Sequence, residues 1–339
     1  EGFAQVQADF SITSATPFST SPPGAWTQTP ANITFNRAQN ISFMENIFIH
    51  LGAVGLGFNY GSQNNVISGN HFTDISASAI NIGDVDKPKT ADSREITKNN
   101  QITNNYIHNV AVEYLGSVGM WLGYVQNSLI RHNELTDLPY TGISIGWGWG
   151  SNDPTIATGN RVERNLIYNH VKSLVDGGGI YSLAAQPGNI YTKNVIHDQG
   201  NLYGAMYLDD GSRYITVTNN VLYNNISNFT TKGSDHTIQD NYETPSAPAE
   251  IIDSAGLESS YQNIKTLPNF PTPTGTINTF LPGDIDQNGK VDIYDFALVV
   301  QNFNKSQVNC VSGWNIADII PNCKVDIYDF ALVVQEFGK

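Results

Sequence analysis

Three carboxylates stand out by their surroundings: Asp176 in VDGGGIYSLAAQPGN, and Asp209 and Asp210 in YLDDGSRY. Paired carboxyl groups can protonate a glycosidic oxygen while attacking the anomeric carbon or activating water there. Trp121, Trp147, Trp149, Tyr181 and Tyr207 recur in neighbouring strand-like segments, and flat aromatic faces suit the C–H side of a pyranose ring. Gly177, Gly178 and Gly179 follow Asp176 directly. Three glycines are costly in a strand unless the backbone bends or something approaches closely, which favours a site there. His170, six residues before Asp176, is a further candidate for touching substrate. Asp176 and Asp210 each have a competing reading as turn residues, Asp210 because Gly211 follows it.

A second chemistry is written near the C-terminus. The twelve residues KVDIYDFALVVQ occur identically at 290–301 and 324–335. In the first copy Asp284, Asp286, Asn288, the Lys290 carbonyl, Asp292 and Asp295 fall at positions 1, 3, 5, 7, 9 and 12 of a loop, with Gly289 at the sharp turn. That is the oxygen-only spacing of an EF-hand-like Ca2+ loop. The second copy keeps Asp318, Asn322, the Lys324 carbonyl, Asp326 and Asp329, but Ile320 and Cys323 replace the acid at position 3 and the glycine. Its calcium affinity is expected to be weaker or absent, with a Cys310–Cys323 disulfide as a substitute closure. Each loop is followed by one short amphipathic helix.

The elements that must position the carboxylates repeat. Asparagine returns at one point of an apolar pattern at 46, 70, 105, 133, 165, 194, 220 and 241, with gaps of 24, 35, 28, 32, 29, 26 and 21 residues. Short alternating runs such as Ile215-Thr216-Val217-Thr218 have a period of two, so the repeat is a coil of strands and turns, a β-solenoid. Each Asn is expected at a left-handed corner, bonding its equivalents one coil above and below. The ladder aligns a second face: SAINIGD, GMWLGY, GISIGWGWG, GGIYSLAA and GAMYLDDG. Ile143, Ile145, Ile180, Met206 and Leu208 are expected inward; Trp121, Ser144, Tyr181, Tyr207 and Asp209 outward. This register raises an objection, because Asp176 and Asp209 are offset by seven positions, roughly 23 Å along an ideal strand. They meet only if the glycine run folds Asp176 back; otherwise Glu113, Asp84 or Asp153 must partner Asp209. His50, His108 and His197 follow ladder strands at similar places and read as part of the coil.

The formal charge is −14 over 339 residues, without a basic cluster. Nucleic acid and anionic membranes are disfavoured as partners, and a polyanionic substrate somewhat so. No apolar run is long enough to insert in a membrane. The two cysteines sit close together, which suits an exported protein with one local disulfide. The organisation expected is a remnant of a truncated N-terminal region (1–35), a parallel β-helix (36–267), a Pro- and Thr-rich linker (268–282) and the calcium module (283–339). The fold class is therefore all-β with a small α-helical C-terminal module.

Residues 283–339 resemble the dockerin module of cell-surface polysaccharide-degrading systems, which implies a cohesin domain of a scaffold protein as partner. Residues 33–267, through the DGGGIY, YLDDGSRY, GISIGWGWG and AGLESSYQNI motifs, resemble the right-handed parallel β-helix enzymes of glycoside hydrolase family 141. That resemblance implies an extracellular or cell-surface hydrolase acting on fucosides or xylan of plant cell-wall polysaccharide, without a catalytic cofactor. It also implies Asp176 and Asp209 as the catalytic pair, with Asp210 the fallback. Two alternatives stand beside it. A polysaccharide lyase needs a basic residue, and only Arg213 lies near the aspartates of the aligned face. A non-catalytic carbohydrate-binding β-helix needs no pair at all.

Overall fold

The computed structural model describes residues 29–148, 153–200, 202–267, 283–286, 290–307, 315, 317–320 and 322–337. Trp149, Asn288, Gly289 and Cys310 lie outside the described residues. The chain divides into two compact units, residues 1–266 and 267–339.

The first unit is a right-handed parallel β-helix. Its described strands form three long stacked sheets, running from Ser42–Met44 to Thr237–Gln239, from Ile47–Leu51 to Val221–Tyr223, and from Ala31–Asn36 to Ser227–Thr231, and one short pair, Thr97–Lys98 with Val125–Gln126. Every pairing within them is parallel, with neighbours about one coil apart in sequence. Most strands are three residues long with an inward middle residue, so Ile67, Ile102, Ile130, Val162, Tyr191 and Val217 stack in register and are buried. Burying one apolar column per sheet is what turns a short period-two pattern into a coil. The strand Ala31–Asn36 pairs with Val54–Asn59, so the stack begins ahead of the boundary at 36 expected from the Asn repeat.

All eight ladder asparagines bond in series. Asn70 Nδ2 donates to Asn105 Oδ1 at 2.9 Å, Asn105 to Asn133, and so on to Asn241, while each Oδ1 also accepts a backbone N–H from the coil before it. The expected left-handed corner is displaced by one residue. Glu45, Gly69, Asn104, His132, Arg164, Lys193, Asn219 and Asp240 carry the positive φ, not the asparagines that follow them. The turn is made just before each Asn, whose side chain then reaches inward. A second ladder lies five residues earlier, through Asn65, Asn100, Ser128, Asn160 and Asn189. After the last coil, residues 249–265 run back along the outside, tied by Glu258 to Asn104 and by Lys265 to Glu134 at 2.7 Å.

In the second unit the helices Ile293–Asn302 and Ile327–Glu336 start identically. Asp292 and Asp326 cap them, and Asp295 and Asp329 complete reciprocal capping boxes. Val291, Val299, Val325 and Val333 form its small core.

Candidate active site

One outward row crosses the third sheet: Gly57, Asn81, Trp121, Ser144, Tyr181 and Tyr207 are register partners in that order. A cleft of about 350 Å³ lies over its middle, with Asn81, Trp121, Ser144 and Tyr181 on the floor and Tyr140 and Trp147 among its walls. Among the described residues, no charged one lines it. Trp121 and Trp147 pack on a side cluster of Val85, Tyr124 and Ala157, and Tyr124 donates to the Trp147 carbonyl at 3.0 Å. Gly146, at φ +82, makes the bend that carries Trp147 there; a Cβ on it would meet Leu183 O at 2.3 Å.

The carboxylate pair sits at one end of this cleft, joined to it by two tyrosines. The Tyr181 hydroxyl donates to Asp209 Oδ2 at 2.6 Å, and the Tyr140 hydroxyl donates to the Asp176 carbonyl at 2.6 Å. Tyr207 donates to Asp176 Oδ1 at 2.9 Å. Lys232, just past the last strand of the sheet, places Nζ 3.0 Å from Asp209 Oδ1 and 4.0 Å from Asp176 Oδ1. Sharing one ammonium keeps those two oxygens within about 7 Å of each other, inside the span of glycosidase carboxyl pairs, about 5 to 10 Å. The Lys232 ammonium also sits over the rings of Tyr203 and Tyr207, which stack at 5.1 Å.

The two aspartates differ in setting. Asp209 is 3% exposed, whereas the Asp176 side chain is 54% exposed. Burial alone would raise the Asp209 pKa, but the Tyr181 hydroxyl, the Lys232 ammonium, the Asp210 N–H and the Tyr207 hydroxyl together hold it below the usual carboxylate range. Burial likewise opposes the Lys232 charge, yet Asp209 and Asp176 raise its pKa. Burial and the neighbouring carboxylates push Tyr140 up to about 12 and raise Tyr181 and Tyr207 as well, so all three remain hydroxyl donors.

The structure resolves the 23 Å objection. Asp176 adopts a left-handed φ of +63 where the chain enters the glycine run, and Lys232 reaches both its carboxylate and that of Asp209. The glycines permit close packing: a Cβ on Gly177 would meet Thr141 Oγ1 at 2.5 Å and the Tyr140 ring at 2.6 Å. Several expectations are corrected. Tyr207 and Asp209 lie on the outward side but are covered rather than exposed, and Tyr207 meets Asp176 through its hydroxyl. His170 is fully buried beside Gly179, out of reach of a substrate, because its strand turns that side chain into the core. Asp210 is exposed on the turn before Gly211. Arg213 faces Asp235 at 3.4 Å, and Asp153 faces Lys89 at 2.9 Å. The basic residue beside the aspartates is Lys232, which the strand alignment did not reach. Its signal was the next coil, SNFTTKG, one strand beyond YLDDG.

In the second unit, carboxylate oxygens of Asp284, Asp286 and Asp295 lie within 4.8 Å of one another, an all-oxygen set that fits a hard cation such as Ca2+. Asp292 caps its helix through the Tyr294 N–H, and Lys290 is exposed beside the loop. In the second loop Asp318 accepts the Asn322 and Cys323 N–H groups, Asn322 accepts from Lys324, Asp329 accepts from Ile320, and Asp326 caps its helix. Asp295 likewise accepts the Ile285, Asp286 and Asp292 N–H groups, so the loops differ mainly in the acid Asp286, which Ile320 replaces. Cys323 is disulfide-bonded.

Comparison with known proteins agrees with this architecture. A family model for a right handed beta helix region matches residues 89–242, and one for a dockerin type I domain matches 282–338. One solved structure, a glycoside hydrolase, shares 30% identity at a TM-score of 0.65; the match covers 71% of this chain and 42% of that one. The chain thus spans less than half the length of that relative. A second, the complex of XylC with xylose, matches at 16% identity and a TM-score of 0.42, over 57% of this chain and 32% of the other. No curated protein matches the chain.

Proposed function

We propose that the chain is part of a β-helix glycoside hydrolase of the family 141 type, acting on neutral plant cell-wall polysaccharide of the fucoside or xylan class. The observation that carries the reading is the Asp176–Lys232–Asp209 cluster at the end of an uncharged, aromatic cleft. Asp209, held anionic, attacks the anomeric carbon or deprotonates the water that does. Asp176, the exposed partner, protonates the glycosidic oxygen as its bond to the anomeric carbon breaks. Tyr181 and Tyr207 fix the two carboxylates by their hydroxyls, and Trp121 and Trp147 hold sugar rings. Lys232 is positioned to be a lyase base, but the charges around it keep it protonated and the cleft offers no cation for a uronate, so hydrolysis is favoured.

The dockerin-like unit would attach the enzyme to a cohesin domain outside the cell, with Asp284, Asp286 and Asp295 holding Ca2+ together with the remaining oxygens of loop one. Among the described residues, no helix is long and apolar enough to cross a membrane. The test is reducing-sugar release from xylan and from fucosylated xyloglucan. Asp176→Asn and Asp209→Asn are each expected to lower the rate about 10²- to 10⁴-fold. Full activity in both variants would sink the assignment, and unsaturated, ultraviolet-absorbing products would turn it to a lyase.

A further inference from the structure

Asn81 is the one member of the outward row whose side chain has an unanswered polar atom. It is 5% exposed, lines the cleft, and its Oδ1 is buried without a hydrogen-bond partner. An acceptor left so costs about 1–3 kcal/mol, and native structures keep few of them away from functional sites. Its register partner on one side is Gly57, which has no side chain, and on the other Trp121. Ser144 and Tyr181 follow, one strand each, toward the carboxylates. Strands stand about 4.8 Å apart, so Asn81 lies roughly 14 Å from Tyr181 across three steps. One strand step is close to the length of one pyranose unit.

We propose that the cleft is a glycan subsite of about three sugar units on one side of the scissile bond, in which Asn81 accepts a hydroxyl from the outermost unit and Trp121 stacks on the unit beside it. The neutral lining sets the ligand class. Ser78, Ser117, Thr141 and Ser144 offer hydroxyls, four aromatic residues offer faces, and none of the described lining residues offers a counter-charge to a uronate or phosphate. The placement of the scissile bond rests on the proposed catalytic pair, whereas the subsite itself rests only on the cleft.

The experiment is calorimetric titration of the full chain carrying Asp176→Asn, with xylobiose, xylohexaose and a fucosylated xyloglucan oligosaccharide. A long glycan is expected to bind at least tenfold more tightly than xylobiose. Asn81→Leu should weaken the long glycan about tenfold and leave xylobiose unchanged, whereas Trp121→Ala should weaken both. Asn81→Leu should also keep or raise the thermal midpoint of the sugar-free protein, because it removes an unanswered buried acceptor. No binding to any of the three, equal affinity for short and long glycans, unchanged affinity in both variants, or a lowered midpoint for Asn81→Leu each overturns the proposal. Tight binding with no cleavage by the parent chain would sink the hydrolase reading and leave the subsite standing.

Discussion

At Asp209 two opposing effects meet. Burial disfavours its charge, while Lys232 and the tyrosine hydroxyls favour it, and the net result lies below the usual carboxylate range. The charged and titratable groups facing it are Asp176, Tyr140, Tyr181, Tyr207 and Lys232. Lys232→Met removes the cation and leaves the burial, so the Asp209 pKa rises and the acid limb of the kcat/KM profile moves to higher pH. Lys232→Arg should restore it. The sign for stability follows from the same depression. Asp209 contributes stability above its unfolded pKa that is lost as pH falls through the folded value, and the Met variant has less of it at neutral pH. An acid limb that stays in place in Lys232→Met would show that the lysine only fills space.

At the scale of the coil, the asparagine ladder makes each repeat depend on its neighbours. Asn133 accepts the N–H and the amide of Asn105 and donates to the Ile102 carbonyl and to Asn165. Asn133→Ala therefore leaves several buried groups unanswered, at roughly 1–3 kcal/mol each. Asn241, at the end of the ladder and half-buried, serves one coil alone. Urea unfolding should show a clearly larger loss for Asn133→Ala than for Asn241→Ala; equal losses would mean that the ladder is not a series of nearest-neighbour contacts. The ladder was legible because polar side chains that bond their own repeats need one residue type at one point of every coil. The second ladder was less so, since Ser128 and Ile215 interrupt it. Nor could the pattern show that the left-handed turn precedes the Asn, because residues as unlike as Glu45, Arg164 and Lys193 carry it.

For the whole chain, two kinds of closure coexist in the second unit. The first loop gathers Asp284, Asp286 and Asp295, and the second has Ile320 in place of the middle acid and a disulfide-bonded cysteine in place of the glycine. Chelation of calcium should raise amide exchange across 290–303, leave the β-helix protected, and affect 324–336 less. Asp295→Ala should act like chelation. Equal deprotection of both helices would argue against this division.

The sequence by itself determined the coil and its period, because those depend on patterns that recur at fixed spacing. It also singled out Asp176 and Asp209, since glycines and paired acids are unusual in strands. Only the tertiary structure decided that the two meet, that Lys232 joins them from the next coil, and that Tyr207 and His170 are buried. A side chain's neighbours across a coil are set by stacking rather than by distance along the chain.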